Sequence, residues 1–313
     1  MGIEKTLTFG PNQINELKSL VGKEKSLPKK PGKYIFRNIN NEYIEDLTSD
    51  IKVNRKIKAV VACGNGTAGI FVPEALKRIG VEVIPLHCEL DSNFPNYNPN
   101  PEDMKMLSDL GKRVLENGAD IGFAFDGDGD RLGVVDDNGK EIFSDKLGLL
   151  IARNISKKYK NSKFIIDVKS TSLFDSDKLL RESNSEVMYW KTGHSYIKRK
   201  TSEVGAIAGF ERSGHFFFSK PIGRGYDDGV LSAIEIIKIL DENITKTISE
   251  IYNELPKTFS TPTMSPKCPE EEKYKIVEVI KKIFQEKKDN EELISQQKIS
   301  SLLTVNGVRI ILE

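Results

Sequence analysis

Cysteine is scarce in this chain: only Cys63, Cys88 and Cys268 occur among 313 residues. An odd count without metal-ligand spacing excludes a disulfide framework and a cysteine-rich metal cluster, and it fits a reducing cytosol. Charge of one sign is also missing. The formal net charge is +1, so no strong field directs the chain to nucleic acid or to a membrane surface. No apolar run is long enough to cross a bilayer, and the N-terminus lacks a signal-peptide core. A cytoplasmic protein with neither membrane nor nucleic-acid partners is the expectation. There is no Walker lysine loop and no serine in a nucleophile elbow. His87 precedes Cys88, but no further ligand completes a site around it, so it reads as structural. Nothing in the sequence sets an oligomeric state.

What is present is concentrated in the segment IGFAFDGDGDRLGVV, which starts at Ile121. An apolar run delivers Asp126, Asp128 and Asp130, separated only by glycines, and Arg131 follows at once. Three carboxylates on so short a turn repel one another unless a cation sits between them. The glycines let the backbone curl until alternate side chains converge. Oxygen ligands without His or Cys favour Mg²⁺, Mn²⁺ or Ca²⁺ over zinc. Arg131 suits a planar, bidentate grip on phosphate. An EF-hand is rejected, because it needs Gly at loop position six and Glu at twelve, where this chain has Arg131 and Asp137. The segment reads as a metal-and-phosphate site.

Short apolar runs alternate with amphipathic stretches along the chain, an α/β pattern. The spacing predicts strands over Ile57–Cys63, Val81–Leu86, Ile121–Phe125 and Leu132–Val135. Helices are expected over Ile70–Ile79 and from Pro101–Asp103 to about Asn117, with a hairpin turn at Asp136–Gly139. The plan then repeats. KFIIDV (Lys163–Val168) parallels KAVVAC (Lys58–Cys63), SEVMYW (Ser185–Trp190) parallels VEVIPL (Val81–Leu86), and AIAGFE (Ala206–Glu211) parallels IGFAFD (Ile121–Asp126). Each half brings an acidic residue just past an apolar strand, at the edge where α/β folds place ligands. Two tandem α/β domains, 38–140 and 141–255, are therefore expected. A proline-rich linker over Leu255–Pro269 leads to a helix over Glu270–Lys288. Its Tyr274, Val277, Ile280, Ile283 and Phe284 share one face. A strand pair is expected over Thr304–Leu312, around Asn306-Gly307. Near the start, LTFGPNQINELKSLVG offers one strand and one helix.

Other polar groups stand where chemistry is possible. In GFERSGH, Glu211, Ser213 and His215 alternate around glycines, a set suited to reading vicinal hydroxyls or, alternatively, a capped turn. KTGHS, with His194, precedes a helix expected over Ser195–Lys200, which fits either an anion at the helix N-terminus or capping by His194 or Ser195. Lys169 ends a strand at the ligand edge, or simply snorkels. The loop Arg224–Gly229 is either a further polar loop or the N-terminal charge of a helix over Val230–Leu240.

DGDGDR, DVKST, KTGHSYIK, GFERSGH and GYDDG occur here in the order seen in the α-D-phosphohexomutases, and the chain resembles the bacterial members of that family. The resemblance implies an α/β fold: two tandem three-layer α/β domains flanked by partial first and fourth domains, 1–37 and 256–313. It implies Mg²⁺ on Asp126, Asp128 and Asp130, with Arg131 near the transferred phosphoryl group. Glu211 and Ser213 are assigned to sugar hydroxyls, His215 supports that loop, and Lys169 and His194 line the cleft and orient a hexose phosphate. The family moves phosphate between the 1- and 6-positions of a hexose through a phosphoserine. Its nucleophile lies in a TASHNP-like loop, and neither that segment nor an RPSGTEP-like phosphate loop occurs in the sequence. An inactive fragment is thus expected. Two alternatives are a phosphatase of the haloacid dehalogenase type with Asp126 as nucleophile, and a non-catalytic phosphosugar-binding module. The dehalogenase pattern expects Thr or Val where Asp130 stands.

Overall fold

The computed structural model describes residues 2–4, 7–21, 30, 32–259, 264 and 266–313. A short antiparallel pair, β1 (Gly2–Glu4) and β2 (Leu7–Thr8), precedes α1 (Pro11–Val21). The expected strand and helix are both there, with β1 added. Next come α2 (Asn40–Thr48), β3 (Lys58–Ala62), α3 (Ala68–Arg78), β4 (Glu82–Leu86), α4 (Met104–Asn117), β5 (Ile121–Phe125), β6 (Leu132–Val135) and β7 (Glu141–Ile142). These strands form one sheet in the order β4-β3-β5-β6-β7. β3 runs parallel to β4 and β5, while the β6 and β7 pairings are antiparallel. Local chemistry sets the ends of α4. The Asp103 carboxylate accepts from the Lys105 and Met106 amides, and Gly118 closes the helix in the left-handed region. The Asp136–Gly139 turn joins β6 to β7, its Asp136 amide donating to the Lys140 carbonyl at 2.8 Å.

The second half contains α5 (Ser144–Lys158), β8 (Lys163–Asp167), α6 (Leu173–Ser176), α7 (Lys178–Glu182), β9 (Glu186–Trp190), α8 (His194–Glu203), β10 (Ala208–Phe210), β11 (Phe216–Phe218), α9 (Gly229–Glu242) and α10 (Ile248–Asn253). Its sheet has the order β9-β8-β10-β11, with β8 parallel to β9 and β10 and only β11 antiparallel. β8, β9 and β10 thus occupy the places of β3, β4 and β5. This is the repeat expected from the matching strand patterns.

Strand alternation divides the core. Ala59 and Val61 of β3, with Phe216 and Phe218 of β11, join one buried cluster that continues from the first sheet to the second through α3, α5 and α9. The alternate residues Val60 and Ala62 instead pack under α4 with Met106, Leu110 and Val114. Phe217 packs with Ile165 and Ile197 under α8. Each sheet is therefore covered on both faces, which is why its central strands are apolar at every position.

The chain ends with α11 (Lys273–Asp289) and the hairpin β12 (Ile299–Leu303) and β13 (Arg309–Leu312). The final strand pair turns at Asn306 and Gly307 as expected, but its first strand begins at Ile299 rather than Thr304. No residue of α11 is buried. The hairpin is held by Arg309, whose Nη1 donates to the carbonyls of Val168 (3.0 Å) and Ser170 (2.8 Å). Within the expected linker, residues 260–263 and 265 lie outside the described residues.

Candidate functional site

β5 ends at Phe125 and hands Asp126 to the turn. That carboxylate is 3 % exposed. Its Oδ1 accepts from the amides of Gly129 (3.0 Å) and Arg131 (3.1 Å), and its Oδ2 accepts from Arg131 Nε at 2.7 Å. Asp128 is exposed and Asp130 half-buried. One oxygen from each of the three carboxylates lies within 4.8 Å of the others. Burial, reinforced by the charges of Asp126, Asp227 and Asp128 against the lowering pull of His215, pushes the Asp130 carboxyl up to about 7. A divalent cation relieves this crowding, and an all-carboxylate donor set suits a hard ion. Arg131, expected to face phosphate, is anchored in the loop: Nε bonds Asp126 and Nη1 reaches Asn100 Oδ1 at 3.2 Å.

The GFERSGH loop joins β10 to β11. Its ends are tied by the Glu211 amide donating to the His215 carbonyl and the Gly214 amide donating to the Glu211 carbonyl, both 3.0 Å. Glu211 is 5 % exposed. Its Oε2, and Ser213 Oγ beside it in the loop, are buried with no well-formed hydrogen bond among the described residues, though the Ser213 hydroxyl is close enough to pull the Glu211 carboxyl down. Such unpaired groups are costly unless a ligand satisfies them. Burial raises the Glu211 carboxyl above its ordinary range, opposed by the charge of His215.

Backbone contacts sew the acidic and GFERSGH loops together. Arg131 and His215 form an antiparallel bridge, and the Leu132 amide donates to the Gly214 carbonyl at 3.1 Å. Gly214 has φ +98°, and a Cβ there would lie 2.6 Å from the Leu132 oxygen. A third loop closes from the start of α9. The Gly229 amide donates to the Gly129 carbonyl at 3.1 Å, and a Cβ on Gly229 would sit 2.7 Å from that oxygen. Only glycine permits either approach.

Asp227 is the anion at the centre of this junction. Its Oδ1 lies 2.6 Å from Lys198 Nζ, and its Oδ2 lies 3.0 Å from His215 Nδ1 and 3.4 Å from His194 Nδ1. Burial on its own would raise this carboxyl, but the contacts with His194, His215 and Lys198 outweigh burial and hold it far below the carboxylate range. Burial would likewise lower His215, yet Asp227, Asp130 and Glu211 together carry it above the usual imidazole range. The His194 and His215 rings stack at 5.3 Å, and His215 Nδ1 is 3.5 Å from Asp130 Oδ1.

The structure therefore brings together Asp126, Asp128, Asp130, Arg131, Glu211, Ser213, His215 and His194. Lys169 is exposed at the end of β8; its amide donates to Asp167 Oδ1 at 2.9 Å, and Asp167 Oδ2 accepts from the Arg212 amide of the GFERSGH loop. Its position is on that rim, and its ammonium makes no ion pair among the described residues. Neither His194 nor Ser195 caps α8; its N-cap position is Gly193. Of the two acids in GYDDG, Asp228 caps α9 through the Leu231 amide and accepts from the Tyr43 hydroxyl, both at 3.0 Å. Asp227 and Lys198 were missed as site residues. The available signal was that His194 and Lys198, four apart on a helix, share one face.

Residues 41–139 match the family model for phosphoglucomutase/phosphomannomutase alpha/beta/alpha domain II, and residues 143–259 match domain III. The chain belongs to the phosphoglucomutase/phosphomannomutase family. It is 36% identical over 303 residues to a phosphomannomutase/phosphoglucomutase of Pseudomonas syringae pv. tomato, covering 97% of this chain and 62% of that protein. A phosphoglucomutase of Neisseria meningitidis serogroup A is 37% identical over 264 residues, covering 84% and 56%. The crystal structure of a family protein from Burkholderia thailandensis superposes with a TM-score of 0.75 at 33% identity, over 87% of this chain and 55% of that one. The chain thus spans about three fifths of the length of the first of these relatives. The dehalogenase reading falls with this match.

Proposed function

We propose that this chain carries the metal- and sugar-binding machinery of a phosphohexomutase, an intramolecular phosphotransferase that interconverts hexose 1-phosphate and hexose 6-phosphate through a phosphoserine. The observation that carries the reading is the Arg131–His215 bridge, which holds the acidic turn against the loop of Glu211 and Ser213. Asp126, Asp128 and Asp130 would hold Mg²⁺, which supplies charge neutralisation at the transferring phosphoryl group. Glu211 Oε2 and Ser213 Oγ offer the unsatisfied acceptor and hydroxyl that vicinal sugar hydroxyls complete. Asp227 fixes His215, whose ring keeps its proton to higher pH than usual and so presents positive charge beside Asp130. His194 stacks on it, and Lys169 contributes a cation at the rim.

The proposed division is 38–140 for the metal-loop domain and 141–255 for the sugar-loop domain, with 1–37 and 256–313 belonging to flanking domains. Three free cysteines support a reducing, cytoplasmic setting.

Calorimetric titration tests the proposal. Mg²⁺ should bind saturably and weaken in Asp128→Asn, and glucose or mannose 6-phosphate should bind the magnesium form and be lost in Glu211→Ala. Sugar-phosphate binding indifferent to both substitutions would defeat the assignment.

A further inference from the structure

Cys63 and Cys88 are twenty-five positions apart, yet the parallel pairing of β3 and β4 brings their sulfurs to 3.7 Å. Both thiols are free. A disulfide needs ~2.05 Å between sulfurs, so closure asks for roughly 1.7 Å of approach. Cys63 is fully buried and Cys88 only partly so, which makes Cys88 the sulfur an oxidant meets first. The neighbouring Cys63 thiol also stabilises the Cys88 thiolate and draws it below the ordinary thiol range.

The backbone around the pair has little slack. The Cys63 carbonyl accepts from the Gly66 amide at 2.8 Å, and a Cβ on Gly69 would lie 2.0 Å from the Cys88 oxygen. The GNGTAG turn between them rests on the acidic loop: the Thr67 amide and hydroxyl both donate to the Gly127 carbonyl, at 3.0 and 3.1 Å. Movement of either cysteine is therefore passed to that contact.

We propose that Cys63 and Cys88 are an oxidisable dithiol, closed by a peroxide, whose disulfide displaces the GNGTAG turn from the acidic loop. The Cys88 thiolate attacks one peroxide oxygen, breaking the O–O bond to give a sulfenic acid and a hydroxide, which leaves as water with the proton the Cys88 thiol gave up on ionising. The Cys63 sulfur then attacks the sulfenic sulfur, and the expelled hydroxide takes the Cys63 proton as a second water. Two thiols and one hydrogen peroxide become one disulfide and two waters, with two electrons moving from sulfur to oxygen.

The test needs neither a metal nor a sugar, so it stands apart from the mutase reading. Hydrogen peroxide is added to the full chain, free thiols are alkylated after unfolding, and linked peptides are mapped by mass spectrometry. Amide deuterium exchange of the 64–69 segment is followed in the reduced, oxidised and dithiothreitol-treated chain. The expected result is an intramolecular Cys63–Cys88 link, roughly threefold or more faster exchange around Thr67, and reversal by dithiothreitol. Cys268→Ser should leave all three unchanged, and Cys88→Ser should abolish the link. Full alkylation of both cysteines after peroxide, or a link made through Cys268, overturns the proposal. A Cys63–Cys88 link with unchanged exchange at 64–69 overturns its coupling to the acidic loop.

Discussion

Removing the Asp227 carboxylate is expected to cost far more than removing any surface charge. The Asp227 and Lys198 side chains are 6% and 7% exposed, with 2.6 Å between Oδ1 and Nζ. At an effective dielectric near 20 their attraction is roughly 6 kcal/mol, and desolvation of several kcal/mol per ion consumes most of it. The intact pair is therefore nearly neutral, whereas Asp227→Ala leaves the Lys198 ammonium buried alone and should cost about 3–5 kcal/mol. In a domain of this size that is roughly 6–20 °C in melting temperature. Lys198→Met should cost a similar amount, and Asp227→Leu/Lys198→Met should recover most of the loss. The folded carboxyl is held below its unfolded value. Its contribution is thus present above the unfolded carboxylate range and lost as pH falls through the folded one, while the share that acts through the raised His215 imidazole is full below the unfolded imidazole value and fades as pH rises through the folded one, so the loss should shrink from mildly acidic to mildly alkaline pH. Scanning calorimetry of the four proteins decides the matter, with Glu182→Ala in the exposed Lys178–Glu182 pair as a control that should not move. A melting temperature of Asp227→Ala within 2 °C of the parent (under ~1 kcal/mol), or a double variant as unstable as the two singles summed, refutes this account.

Three further outcomes are expected. Asp130 takes up its proton at about pH 7 without metal, so magnesium affinity should fall about tenfold per pH unit below that point; calorimetry giving a dissociation constant flat between mildly acidic and mildly alkaline pH contradicts it. Gly214→Ala forces a Cβ to 2.6 Å from the Leu132 carbonyl at φ +98°, and should cost about 1–3 kcal/mol in urea unfolding while weakening sugar-phosphate binding. Phe210 is fully buried among Phe164, Phe174, Phe216 and Phe218, so Phe210→Ala should cost about 3–5 kcal/mol by the same measurement.

The strands were legible because their burial on two faces leaves continuous apolar runs, and IGFAF followed by DGDGDR can only be a core strand feeding a charged turn. The repeat was legible for the same reason: matched strand patterns impose the same sheet order in both halves. Contacts set by register were not legible. Asp227 and Asp228 are neighbours with the same chemistry, and both read as acidic charge before a helix. Which one meets the histidines and which caps α9 follows from the Phe217–Asp227 bridge, a pairing between segments that no local pattern encodes. Arg131 was visible, but its commitment to Asp126 depends on how the turn curls. The proximity of Cys63 and Cys88 likewise comes from the alignment of two parallel strands. For α11 the apolar spacing was plain, whereas the surface it meets is not a property of its own period.

The loops at the candidate site come from two sheets, so their mutual position has to be set by whatever joins those sheets, and α9 meets that requirement. Its apolar residues Ile234, Ile237 and Leu240 lie in the cluster that continues from one sheet to the other. Its N-cap Asp228 fixes the Tyr43 hydroxyl of α2, its Gly229 amide holds the acidic turn at Gly129, and Asp227, one residue before the cap, holds both histidines. Three consecutive residues, Asp227 to Gly229, and the helix they open thus connect the core, the metal-type loop and the imidazole pair. Because both sides of the site rest on this strut as well as on the Arg131–His215 bridge, a rotation of α9 in the core displaces the carboxylates and the histidines together.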